Sequence, residues 1–123
     1  MQTSGVTFSE IIGNSVKLNW INGNGAGRLM LARKASPVNA DPVDLKPYYP
    51  YNSGEFGTGN VINVDNYAVY RSSGTGTTVY RLEPNTTYHF AFFEYNGNST
   101  PVYLKPASTF NVTTNAGPTK PAQ

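Results

Sequence analysis

Side chains able to carry out nucleophilic, metal or acid–base chemistry are scarce in this chain of 123 residues. There is no cysteine and a single histidine, His89. Thiol nucleophiles, thiolate metal sites and disulfides are therefore ruled out, and one imidazole is left for any proton transfer. His89 stands between Tyr88 and Phe90 in an alternating segment, where a half-exposed strand position is expected. No G-x-S-x-G elbow supplies a serine partner, so a catalytic triad has no members to assemble. Four of the seven acids, Asp41, Asp44, Glu55 and Asp65, fall in or beside one stretch between residues 34 and 66. Oxygen ligands of this kind can hold calcium, but the spacing is not that of an EF-hand loop. Nothing sets two of them face to face for glycoside hydrolysis. The glycine turns Gly57-Thr-Gly59 and Gly74-Thr-Gly76 lack the following helix and lysine of a phosphate loop. The sequence thus predicts no catalytic residue, no metal site and no cofactor, and the chain is not expected to be an enzyme.

Aromatic surface is the chemistry the chain does carry. The run Lys46-Pro-Tyr-Tyr-Pro-Tyr51 interleaves three tyrosines with prolines, and Phe56 follows in a glycine-rich segment. Proline stiffens such a segment, so rings can be held at fixed spacing with little ordering entropy. Tyr48, Tyr49, Tyr51 and Phe56 are the candidate contacts to a ligand or partner. Either these rings fold back as a second cluster on the rest of the domain, or they stand outward as a stacking platform for polysaccharide or another surface protein.

The elements that must position these residues are strands. Short β-branched and aromatic runs separated by Gly, Asn and Pro clusters recur without a 3.6-residue period, which predicts an all-β sandwich or barrel. Seven strands are expected: Val6 to Glu10, Ser15 to Trp20, Arg28 to Arg33, Tyr67 to Arg71, Thr77 to Leu82, Thr87 to Tyr95 and Ser108 to Thr113. The second alternates Val16, Leu18 and Trp20 with polar residues and so buries one face. The third, RLMLAR, is apolar in nearly continuous fashion and hides which side faces in. The sixth places Tyr88, Phe90, Phe92 and Glu94 on one side. A buried carboxylate needs a donor, and Arg33 or Arg28 on the third strand is the candidate. Residues 34–66 form a 33-residue excursion between the third and fourth strands, far longer than an ordinary sandwich loop.

Charge and hydropathy narrow the partners. Nine basic and seven acidic residues give a formal charge of +2, and the basic residues are too scattered to predict nucleic-acid binding. Apolar stretches are only a few residues long, against the ~20 a membrane-spanning helix requires, and the opening MQTSGVTFSE lacks the basic start and apolar run of a signal peptide. Asn85, Asn98 and Asn111 each begin a glycosylation sequon, a pattern common by chance in so Asn- and Thr-rich a chain.

The spacing Leu82-Glu-Pro84-Asn-Thr86-Thr-Tyr88 resembles the tyrosine corner of fibronectin type III domains, in which the Tyr hydroxyl bonds back to upstream backbone. Trp20 lies where those domains place a core Trp, and Leu18 and Phe90 stand where an immunoglobulin domain would have its two cysteines. Over roughly residues 6 to 114 the chain further resembles fibronectin type III-like modules of large secreted and surface proteins of Bacteroidetes-type bacteria. Arg28-Leu-Met-Leu-Ala-Arg33, the stretch with Pro42, Asp44 and Tyr48, Phe56-Gly-Thr-Gly59, Tyr67-Ala-Val-Tyr70, the corner and Glu94-Tyr-Asn-Gly97 carry that likeness.

The resemblance implies a seven-stranded antiparallel, immunoglobulin-like sandwich with a long insertion between its third and fourth strands. It also implies a non-catalytic spacer or interaction module, extracellular or at the cell surface, whose partners are neighbouring domains of its parent protein. The isolated domain is expected to be monomeric. The domain is expected to span residues 1–114, followed by a Pro-rich linker over 115–123. Trp20, Leu82, Pro84, Tyr88 and Glu94 are the expected structural residues. Trp20→Ala is expected to cost about 3–5 kcal/mol through the cavity it leaves, and Tyr88→Phe at most about 3 kcal/mol through the lost hydroxyl bond. Denaturant unfolding measures both, and negligible effects from both would contradict this strand register.

Overall fold

The computed structural model of the protein describes residues 1–116. Of the tail expected as a linker, residues 117–123 lie outside the described residues. Asn115 is hydrogen-bonded: its side chain donates to the Ile11 carbonyl, and its own carbonyl accepts from the Asn85 amide.

All seven expected strands are present, as β1 (Ser4–Ser9), β2 (Ser15–Ile21), β3 (Gly27–Lys34), β5 (Asn66–Ser72), β6 (Gly76–Tyr80), β7 (Thr87–Asn96) and β9 (Ser108–Thr113). Two further strands of two residues each, β4 (Val61–Ile62) and β8 (Val102–Tyr103), are too short to leave a periodic signal in sequence. Two strands end earlier than their apolar pattern suggests because the backbone turns left-handed: Glu10 has φ 48° and Arg81 has φ 68°. Among the described residues there is no helix.

The strands form two antiparallel sheets. One has the order β1-β2-β6, and the other β4-β5-β3-β7, with β8 and β9 following each other along the far edge of β7. Val16, Leu18 and Trp20 of β2 meet Met30 and Ala32 of β3 and Tyr88, Phe90 and Phe92 of β7 between the sheets. Trp20 packs edge-on against Tyr70 and Phe92, each at 5.1 Å between ring centroids, while its indole N–H donates to Asn22 Oδ1 and the Gly74 carbonyl. The corner closes as the motif implies. The Tyr88 hydroxyl accepts from the Glu83 amide at 2.8 Å, and Leu82 is buried beside it, while Pro84 stays on the surface.

The continuous apolar run of β3 has a simple cause: both of its faces are buried. Met30 and Ala32 face the other sheet, while Leu29 and Leu31 join Ala68, Ala91 and Phe93 in a second cluster on the outer face of the larger sheet. That outer cluster is covered by Tyr48 from the excursion and Tyr103 from β8.

At the end of the inter-sheet core Arg28 and Glu94 stand directly opposite each other across β3 and β7. The pair is buried, with Nε and Nη2 of Arg28 at 3.0 and 3.1 Å from the two carboxylate oxygens. The Thr3 hydroxyl and the Gly23 and Gly25 amides also donate to the carboxylate, at 2.6, 3.0 and 2.9 Å. These glycines do not have positive φ, as a turn-forming role would suggest. They are required by close approach. A Cβ on Gly23 would lie 1.9 Å from the Met1 carbonyl oxygen, and one on Gly25 2.8 Å from that of Tyr95.

Burial pushes the Glu94 carboxyl up, but the Arg28 guanidinium, the Thr3 hydroxyl and the two amides outweigh it and hold it below the usual carboxylate range. A carboxyl more acidic in the fold than in the unfolded chain adds stability above its unfolded pKa, and that stability is lost as pH falls through the folded value. Glu94→Gln, which strands Arg28 without a counter-charge, is expected to cost about 3–5 kcal/mol at neutral pH. The variant should also lose less stability than the parent between neutral pH and the acid range below about pH 4. Urea unfolding at several pH values checks both, and unchanged neutral stability would contradict the role assigned to the pair.

Candidate functional site

The excursion is the feature that sets this domain apart from a bare sandwich, and it is stitched down along its length. Near its start the Asn39 amide donates to Asn66 Oδ1, and Asn66 Nδ2 returns a bond to Asn39 Oδ1. In its middle the Tyr48 ring is buried on the outer cluster, and its hydroxyl accepts from the Val43 amide. Asp44 accepts the Tyr103 amide at 3.0 Å, and the Tyr103 hydroxyl donates to the Lys46 carbonyl at 2.7 Å. That amide, helped by Lys105, holds the Asp44 carboxyl below its ordinary range.

Farther on, the excursion closes the open side of the sandwich between β5 and β6. The Gly54 amide donates to the Val69 carbonyl of β5, the Gly54 carbonyl accepts from Tyr80 of β6, and the Phe56 amide donates back to the Tyr80 carbonyl. Gly54 has φ 88°, and a Cβ there would sit 1.9 Å from the Thr78 carbonyl oxygen, so only glycine fits. Phe56 then packs edge-on against Tyr67 and the corner residue Tyr88, at 5.3 and 5.2 Å.

The four candidate contact residues are therefore split. Tyr48 is buried and Phe56 is partly buried against the inter-sheet core, whereas Tyr49 is 48% exposed and Tyr51 76% exposed. A platform of four outward rings is not formed. Tyr48 packs into the outer cluster, whereas its neighbour Tyr49 lies over the Arg71 guanidinium with about half of its surface left open. The acids are dispersed as well. Asp44 lies 3.5 Å from Lys105, Glu55 is bound by Asn52 and lies 3.5 Å from Arg81, and Asp65 lies 4.0 Å from Arg33. Among the described residues no three His, Asp or Glu side chains gather where a metal ion could sit. His89 is half-buried in β7 opposite Arg33.

Sequence reasoning missed Arg71. A bulge in the β3–β5 pairing between Met30 and Leu31 shifts the parity of β5. Arg71 then falls opposite Leu29, on the outer face, where its guanidinium lies 4.8 Å from the Tyr49 ring centroid and 4.6 Å from that of Tyr95. Its Nη2 donates to the Asn98 carbonyl at 2.6 Å. Beside it opens a cleft of about 330 Å³ lined by Ala26, Ser72, Ser73, Tyr95, Gly97 and Asn98. The exposed part of the excursion thus contributes one ring to a cation held between two tyrosines.

No family model matches the sequence, and no curated protein matches it. Solved structures are similar in fold. A β-sandwich protein redesigned by computer superposes with a TM-score of 0.63 at 18% identity, over 94% of this chain and 96% of that one. The fibronectin type III domain of human fibronectin type III domain containing protein 3 gives a TM-score of 0.55 at 13% identity, over 94% of this chain and 85% of that one. The third fibronectin III domain of another human protein gives 0.54 at 16% identity, over 100% of this chain and 87% of that one. The chain has the all-β, antiparallel sandwich fold of fibronectin type III domains.

The cover over the outer cluster has its own pH signature. Burial pushes the Tyr103 hydroxyl up to about 12, against the opposing charge of Arg71. A phenol with a higher pKa in the fold than its ordinary value of about 10 contributes stability that is complete below about pH 10. That contribution is lost as pH rises through the folded value. Alkaline unfolding is expected to steepen in this window, and Tyr103→Phe should reduce the steepening, a part of which the buried Tyr88 hydroxyl also supplies, while costing about 1 kcal/mol at neutral pH for the lost bond to Lys46. Urea midpoints at neutral and alkaline pH read both effects, and identical alkaline behaviour in the variant would contradict this assignment.

Proposed function

We propose that the chain is a non-catalytic spacing and interaction module of a larger secreted or cell-surface bacterial protein, and that it is monomeric as an isolated domain. The observation that carries this reading is how the reactive groups are used. Glu94 accepts five hydrogen bonds in a buried site, Arg28 is its counter-charge, and Asp44, Glu55 and Asp65 each lie beside a basic side chain of the same fold. A general acid or base has to be free to exchange its proton with a substrate, whereas Glu94, Asp44 and Glu55 are hydrogen-bonded to strands and loops of the fold. The fibronectin type III-like fold supports a non-catalytic module in general.

A second reading, carbohydrate binding, is favoured by one observation: Tyr49 and Tyr51 present exposed rings on the excursion. Aromatic faces of this kind stack on sugar rings, with the hydroxyl left to bond a sugar oxygen. In this form it rests on Tyr49 and Tyr51 without Tyr48 and Phe56.

A turnover screen of the purified domain against chromogenic glycosides, esters and peptides tests the main proposal. Rates at the level of the buffer blank are expected. Turnover that survives purification and disappears on substitution of a single carboxylate would overturn it.

A further inference from the structure

We infer that the cleft at Arg71 is a binding site for an anionic polysaccharide, with the acidic group of the sugar taken by the Arg71 guanidinium and a sugar ring laid against Tyr49. The inference rests on the carbohydrate reading above and gives it a location and a ligand class.

Arg71 is unusual among the arginines of this chain. Arg28, Arg33 and Arg81 each lie within 4.0 Å of a carboxylate, whereas Arg71 has no carboxylate partner among the described residues. Its charge is instead held by the faces of Tyr49 and Tyr95 and by the Asn98 carbonyl. Its Nε is buried and has no acceptor among the described residues. Guanidinium groups take carboxylates and sulfates through a planar fork of N–H donors, and a fork already fixed by stacking loses little freedom when a ligand arrives.

The surroundings decide what kind of anion fits. No acidic side chain lines the cleft, so nothing repels a negative ligand. Ser72, Ser73 and Asn98 offer hydroxyl and amide groups of the sort that bond sugar hydroxyls. Tyr49 does not line the cleft itself but packs on Arg71 at its edge and remains half exposed, which leaves ring surface for a pyranose beside the charge. An acidic peptide would bring carboxylates too, but apart from Tyr95 and Ala26 the lining provides no apolar recess for its other side chains.

Affinity electrophoresis of the domain in gels containing polygalacturonate, dextran sulfate, neutral dextran or polyglutamate tests the inference, with Arg71→Gln and Tyr49→Ala beside the parent. Retardation by polygalacturonate, dextran sulfate or both is expected, the two arms separating carboxylate from sulfate. Neutral dextran should have no effect, and each variant should weaken binding about tenfold or more. Thermal melting verifies that the variants fold. If Arg71→Gln does not, Arg71→Lys keeps the charge but loses the fork, and it should bind more weakly than the parent. Undiminished binding by a folded Arg71 variant, or equal retardation by polyglutamate, overturns the site as stated. Binding of neutral dextran as strong as that of the acidic polymers overturns the anionic site while leaving the carbohydrate reading standing. Retardation by none of the four polymers overturns both.

Discussion

The larger sheet is apolar on both faces, and each face needs its own cover. One is supplied by the three-stranded sheet, as in any sandwich. The other is supplied by the excursion between β3 and β5 together with β8, which lay Tyr48 and Tyr103 over Leu29, Leu31 and Phe93. A fully buried side chain of this size gains about 1.5–3 kcal/mol over leaving it exposed, so a sheet with its outer cluster uncovered would forfeit several such contributions. Much else follows from this constraint. The excursion is long because it must cross the sheet face and still seal the β5–β6 side, and its tyrosines divide between those that cover and those that remain outside.

The polar groups are arranged around the same constraint. Covering a sheet with irregular chain would bury unsatisfied amides and carbonyls, and the excursion avoids this with side chains that act as backbone substitutes. Asn39 and Asn66 bond each other, Asn60 Oδ1 accepts the Tyr49 amide, and Asp44 accepts that of Tyr103. Glu94 does the same at the end of the core, where one carboxylate gathers β3, the glycine turn after β2 and the N-terminal residues. Burying a charge pair is costly unless its remaining hydrogen-bonding capacity is used. Here five donors converge on two oxygens, so the pair ties three segments together without leaving the carboxylate short of partners.

How far the domain could be read from its residues depends on the range of the signal. The alternation in β2 and the corner spacing from Leu82 to Tyr88 are local patterns, and both appear in the structure as read. Glu94 was legible by parity and by the rule that a buried carboxylate needs a donor, which left Arg28 or Arg33; the β3–β7 register selects Arg28. The candidate site was much less legible. Tyr48, Tyr49, Tyr51 and Phe56 share a residue type and a short stretch of chain, and composition treats them alike. Arg71 carried no local mark, because a bulge in the β3–β5 pairing sets which face it takes and its two stacking partners come from the excursion and from β7.

The sequence by itself determined the seven longer strands, the all-β class, the corner, the buried Trp20 and the scarcity of reactive groups. Each of these follows from side-chain period, turn chemistry or simple counting, which act over a few residues or over the whole composition. Only the tertiary structure decided that β3 is buried on two sides, that Tyr48 faces in while its neighbour faces out, and that Arg71 lies between Tyr49 and Tyr95. Those outcomes depend on which distant segments lie against the sheet. That is a matter of register, bulges and closure across the whole chain, and it leaves no periodic trace in the residues concerned.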